Sequence, residues 1–337
     1  MCCILCFCGH AHALEPAIYL FGSSVLDMGN NNYIPTGAKA NYYPYGIDFS
    51  NGEATGRFTN GKNAMDFIVE MLGVSTPKPS LSLSDMADMA EEFLKGVNFA
   101  SGGAGVLDST YMIGIVKTYQ HISNSFIVIN IGNNDITVAS DTGVNPDKYA
   151  SLLISTLRPN LKNIYFFGGH KFVTISSGAQ GCLPMLRAIT ATRDCHKDAN
   201  LLAKAYNKRL ASLMEELQLI ESYFGELHYS FFDLFAAHEI LYKSRETLGF
   251  GEGEVACCGT GPFNGSIIRC TPGTVPCSNR TDHIYWDNVH YTERFTGMFM
   301  KMAFGGSAPY VYPINVKQLR DLPSLYLHTK NVELAIE

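Results

Sequence analysis

Three times in this chain an apolar run gives way at once to glycine and small polar residues: "IYLFGSS" at 18–24, "GVNFASGGAG" at 96–105 and "FIVINIGNND" at 126–135. A short apolar run bounded by such a turn reads as a buried strand, and strands buried on both faces belong to parallel sheets. Segments of helical period lie between and after them. "GKNAMDFIVEMLG" (61–73) places Met65, Ile68, Val69 and Leu72 on one face and closes on Gly73. Helices are expected over 147–165, where Pro159 should kink or split the turn, and over 198–220. "KFVTIS" and "LHYSFFDL" read as further strands, a helix follows near 235–242, and a last helix runs from Thr292 toward Phe304. Strands alternating with helices predict an α/β fold with helices on both faces of a mainly parallel sheet, a three-layer α/β/α sandwich. In such sheets working groups gather at the carboxyl ends of the strands, where all three polar clusters fall.

The chain has 337 residues, 46% hydrophobic and 17% charged, with no Gly-, Ser- or Pro-rich divide, so one domain over 14–337 is expected. A net charge of −6 without a basic block argues against nucleic-acid binding. At the N-terminus, residues 2–8 are apolar and Ala11-His12-Ala13 fits a small-x-small cleavage pattern. Residues 1–13 therefore read as a secretory signal peptide, short and without a basic start; the alternative is an N-terminal strand or tail. No other uninterrupted apolar run reaches membrane-spanning length.

Beyond that segment six cysteines remain: Cys182, Cys195, Cys257, Cys258, Cys270 and Cys277. They form no C-x-x-C pair and have no histidine at zinc-finger spacing, which favours disulfides over zinc. Cys182 with Cys195 is the most local pairing, and the later four allow three arrangements. Sequons at Asn264 and Asn279 fall among them. Disulfides and sequons together point to a secreted, extracellular, glycosylated protein.

Among ten histidines, His290 stands out because "WDNVHYTE" sets Asp287 three residues before it. A carboxylate at that spacing can reach the imidazole Nδ1, fix its tautomer and leave Nε2 to accept a proton. Alone, a D-x-x-H pair is more often a surface contact. The signature G-x-S-x-G is absent, which argues against an α/β-hydrolase. "GRFTNGKN" (56–63) approaches a phosphate loop, but Asn63 replaces the hydroxyl and no apolar strand precedes it, so it reads as a turn and helix cap.

In order along the chain, "FGSSVLDMGNNN", "GRFTNGKNAMDFI", "GVNFASGGAGVLDST", "INIGNND", "GGHKFV", "QGCLP", "CCGTG" and "WDNVHYTE" resemble the successive blocks of the plant GDSL esterase/lipase family, within the SGNH hydrolases. The resemblance spans about 17–322 and implies a flavodoxin-like order of some five parallel strands. It implies Ser24 as nucleophile, His290 as base and Asp287 as the orienting carboxylate. The oxyanion would be held by the backbone N–H groups of Ser24 and Gly102, with Gly103 the near alternative, and by the side chain of Asn134. The implied reaction is carboxylic-ester hydrolysis without metal or organic cofactor. Its substrate would be a small or polymeric ester: lipid, acetylated polysaccharide, cutin-like polyester or phenolic ester. An acyltransferase and a binding or defence protein on the same fold are the rival readings.

The chain departs from the pattern at Ser23, where the family has Asp, at Tyr291, where it commonly has Pro, and in "SSGAQGCLP". Of the remaining polar residues, Asn30 to Asn32 and Asp27 are expected to shape the turn after Ser24, and Asp135 to brace the loop bearing Asn134. Trp286 and the methionines 298, 300 and 302 read as packing.

Overall fold

The computed structural model describes residues 16–83, 92–106, 125–166, 168–220, 227–266 and 270–323. The expected signal segment lies outside the described residues. The strands are β1 (Ile18–Gly22), β2 (Lys78–Pro79), β3 (Val97–Asn98), β4 (Phe126–Asn130), β5 (Lys171–Ile175), β6 (His228–Phe232) and β7 (Val311–Pro313). They form one sheet in the order β2-β3-β1-β4-β5-β6-β7, parallel except for β7, which pairs antiparallel with β6. Its five inner strands, β3-β1-β4-β5-β6, run second-first-third-fourth-fifth along the chain. That is the flavodoxin-like order. The two-residue β2 and the three-residue β7 extend it at the edges and are too short to leave a period-2 signal in the sequence.

Side chains along the inner strands alternate between two cores, as the pleat requires. Ile18, Leu20, Phe126, Val128, Val173, Ile175 and Phe232 enter one; Tyr19, Ile127, Ile129, Phe172 and Phe231 enter the other. Helix α1 (Ala64–Leu72) packs on the first core; α2 (Asn133–Ala139) and α3 (Pro146–Phe166) pack on the second. The short α4 (Pro184–Ile189) follows, then α5 (Lys197–Ile220) on the second core and α6 (Leu234–Lys243) chiefly on the first. The last two, α7 (Glu293–Gly305) and α8 (Val316–Arg320), complete the first core. The result is the expected α/β/α layering.

Local chemistry explains the ends of α1. The Asn63 side chain accepts from the N–H groups of Met65 and Asp66, and the Asp66 carboxylate accepts from the Asn63 N–H, a closed capping box. Gly73 ends the helix at φ 69, in the left-handed region. The phosphate-loop look-alike is thus the cap of a helix. Pro159 does not split α3. Leu153, Leu157, Leu161 and Ile164 bury either side of it, and Arg158 pairs with Glu216 of α5. That tertiary packing outweighs the one backbone hydrogen bond that proline forfeits.

All six expected cysteines pair: Cys182–Cys195, Cys257–Cys277 and, nested inside the last, Cys258–Cys270. The two sequons differ. Asn279 is exposed and its Oδ1 accepts from the Thr281 hydroxyl at 2.7 Å, whereas Asn264 is half-buried and its Nδ2 donates to the Ala256 carbonyl at 2.8 Å.

Candidate active site

The sheet order brings the three polar clusters together. β1 lies between β3 and β4, so Ser23–Ser24, Ser101–Gly103 and Asn133–Asn134 all emerge at one end of adjacent strands. β1 and β4 approach so closely there that a Cβ on Gly22 would stand 2.6 Å from the Asn130 carbonyl oxygen, which only glycine tolerates.

The asparagine run does more than shape its own turn. Asn30 donates to the Asn98 and Ala100 carbonyls, each at 2.8 Å, and Asn31 Oδ1 accepts from the Ser101 hydroxyl at 2.6 Å. The buried Asp27 accepts from the N–H groups of Gly29, Asn30 and Gly102. Burial pushes its carboxyl up, against the downward pull of those N–H groups. Asp135 Oδ2 accepts from the Val106 N–H at 2.9 Å, so it braces the second loop against the third. Both asparagine and aspartate rows therefore stitch one loop to the next.

Ser24 Oγ lies 2.8 Å from Nε2 of His290. On the other side of the ring, Nδ1 lies 2.8 and 2.9 Å from the two carboxylate oxygens of Asp287. Asp287 is fully buried and accepts also from the N–H groups of Val289 and His290 and from the Tyr45 hydroxyl at 2.7 Å. Burial alone would raise its pKa; the His290 charge and hydrogen bond, the Val289 N–H and the Tyr45 hydroxyl together hold it below the usual carboxylate range. The loop is tied down at each end, since Trp286 N–H donates to the His290 carbonyl and Thr292 caps α7.

Tyr45 is a residue the sequence reading missed. It sits on the "YYPYG" loop with no periodicity to mark it, packs edge-on against Trp286 and Phe58, and is buried. Phe58 in turn lies 5.2 Å, centroid to centroid, from the His290 ring. Trp286 is buried packing, as expected, and the methionines line the first core.

Gly102 requires a correction. Its N–H donates to Asp27 Oδ2 at 2.9 Å and to Asn31 Oδ1 at 3.0 Å, so it is committed to the loop and not turned toward a ligand. A Cβ there would strike the Phe58 ring at 2.6 Å, so this glycine serves close packing. The near alternative, Gly103, has φ +92 and open space at its Cβ position, and its N–H has no partner among the described residues. The Ser24 N–H is likewise unpartnered there. Asn134 uses one Nδ2 hydrogen on the Ala104 carbonyl at 2.9 Å, which leaves the second for a ligand.

A cavity of about 280 Å³ opens beside Ser24 and His290. Its wall includes Tyr291, whose hydroxyl lies 3.1 Å from Nδ1 of the buried His238. Burial, with a smaller contribution from the Arg187 charge, pushes His238 down to about 3, so this imidazole is neutral.

Comparison with known proteins gives the family. The family described as GDSL-like lipase/acylhydrolase matches residues 18–299. GDSL esterase/lipase 7 of Arabidopsis thaliana is 34% identical over 349 residues, covering 92% of this chain and 93% of that protein. Two further Arabidopsis thaliana GDSL esterase/lipases are 34% and 33% identical, covering 92% and 90% of this chain and 89% of each relative. This chain therefore belongs to the GDSL lipase/acylhydrolase family and is a hydrolase of carboxylic esters.

Proposed function

We propose that Ser24 is the nucleophile of this hydrolase and that the reaction passes through an acyl-Ser24 intermediate. The observation that carries the reading is the unbroken series Ser24 Oγ, His290 Nε2, His290 Nδ1 and Asp287, with contacts of 2.8 Å at each joint, beside an open cavity. His290 takes the serine proton as Oγ attacks the ester carbonyl, and Asp287 stabilises the imidazolium and fixes its tautomer. The tetrahedral oxyanion is met by the Ser24 N–H, the Gly103 N–H and the second Nδ2 hydrogen of Asn134. Losing one such donor raises the barrier by about 3 kcal/mol. His290 then protonates the leaving alcohol, and a water activated by the same imidazole releases the acid. An alcohol in place of that water would make the protein an acyltransferase, a distinction read from the products formed when glycerol or a sugar is present.

Ser24→Ala should lower turnover of a short-chain nitrophenyl ester by about four to six orders of magnitude and abolish labelling by a fluorophosphonate. Labelling that persists in that variant would remove Ser24 from the role. Secretion belongs to the same reading, because three disulfides suit an oxidising compartment. Expressed through a secretory pathway, the protein should carry glycan at Asn279. Asn279→Gln should then shift its mobility on a gel, and Asn264→Gln should leave it unchanged.

A further inference from the structure

The cavity beside Ser24 is small. At about 280 Å³ it falls just below the range of 300–1,000 Å³ typical of sites that enclose a drug-sized ligand. Val25, Leu183, Leu234 and Tyr291 in its lining all belong to, or pack against, the first hydrophobic core. Asn133 and Gln180 also line it, joined by a hydrogen bond of 2.9 Å from Gln180 Nε2 to Asn133 Oδ1. The side formed by the first core offers an acyl chain leaving the Ser24 carbonyl an apolar path, and Phe58, Val138 and Met185 add apolar surface elsewhere in the lining.

Tyr291, Leu234 and Gly178 stand together on the apolar side of the cavity. A Cβ built on Gly178 would meet the Tyr291 hydroxyl at 3.2 Å and Leu234 Cδ2 at 3.5 Å, so these three residues converge at one point of the wall. Tyr291 cannot swing aside without cost. Its ring stacks on Tyr285 at 5.4 Å and packs edge-on against Phe299 at 5.2 Å, and its hydroxyl is latched to His238. His238 is itself wedged between the rings of Tyr242, Tyr285 and Phe299. A side chain held on all these sides is a fixed stop.

We propose that Tyr291, latched to His238 and set against Leu234 and Gly178, is the end wall of the acyl pocket and makes this enzyme selective for esters of short acyl chains, acetyl to butyryl. The proposal rests on Ser24 as nucleophile. While the pocket has room, each buried methylene should raise kcat/KM about fourfold; beyond the wall the gain stops and the chain must displace Tyr291 or remain in water. Tyr291 is a specificity-determining residue in this scheme.

The test is kcat/KM over nitrophenyl esters from acetate to palmitate, a series in which the leaving group is constant and only the acyl chain varies. The wild-type protein should peak at or below butyrate and fall at least tenfold by octanoate. Tyr291→Val should move the optimum to hexanoate or octanoate. Gly178→Ala, which removes no aromatic ring and sets a methyl against the Tyr291 hydroxyl, should move it the other way, sparing acetate and depressing butyrate, and this keeps the proposal testable if Tyr291→Val fails to fold. Octanoate or palmitate turned over as well as butyrate by the wild type overturns the proposal, as does an optimum that Gly178→Ala leaves in place. If fluorophosphonate still labels Ser24 in those cases, the end wall alone is lost. If the wild type neither labels nor turns over acetate, the nucleophile assignment falls and the proposal with it.

Discussion

Asp287 has no contact with water, and four donors share its two oxygens. Three of them come from its own loop. The fourth, the Tyr45 hydroxyl, comes from 242 residues away and is a positioning residue for the carboxylate. A hydrogen bond to a charged group contributes about 1.5–3 kcal/mol, so Tyr45→Phe should lower kcat about tenfold or more. An unchanged kcat with a lower Tm would mean that Tyr45 is packing only. At this scale sequence is an uneven guide. The D-x-x-H spacing is visible because three residues suffice to join Asp287 to His290. The Asp27 and Asn31 acceptors that claim the Gly102 N–H are not, because that choice depends on the direction of one bond across two loops.

The segment from Gly249 to Arg280, whose described residues form neither an α-helix nor a strand of the sheet, shows what such a stretch contributes. Cys257 and Cys258 donate their N–H groups to the carbonyls of Tyr285 and Trp286, directly before Asp287. The nested disulfides Cys257–Cys277 and Cys258–Cys270 hold that strip in place, and with Tyr45, Phe58 and Trp286 they form a small third core. Replacing Cys258 and Cys270 together by Ala should cost about 2–5 kcal/mol of stability, measured by denaturant unfolding. It should also lower kcat, because the strip carries the Asp287–His290 loop; full activity in a destabilised variant would separate the two roles. Composition marked this loop as cystine-rich, but its pairing was open among three arrangements until the backbone was folded. The long helices were legible from their period, with α5 at Lys197–Ile220 against an expected 198–220. The helix opening at Asn133 was read only as a turn, since its seven residues hold too few apolar positions to show a period.

Taken whole, the molecule buries an ionisable group that the reaction does not use. His238 would take a proton near pH 6.5 in the unfolded chain but only at about 3 when folded. Its folded pKa is depressed, so the unfolded state binds the extra proton between those values and stability falls as pH falls through that window. The slope is about 1.4 kcal/mol per pH unit for one proton. The buried His170, also pushed down by burial, adds to it in the same direction. His238→Gln should flatten the decline in urea-unfolding free energy from pH 6 to pH 4, even if its stability at pH 7 is lower; an unchanged slope would place the protonation elsewhere. Asp287, held below the usual carboxylate range, adds its own loss only at still lower pH.

Ser24 and His290 touch across 266 residues of chain. On the proposed reading, the ribosome must add 266 residues after the nucleophile before it reaches the base. Until the segment that becomes α7 has been made and the sheet has closed, Ser24 would have no imidazole beside it. A hydrolase built this way would be silent during its own manufacture, and truncation before residue 290 should leave a product unable to attack the esters around it.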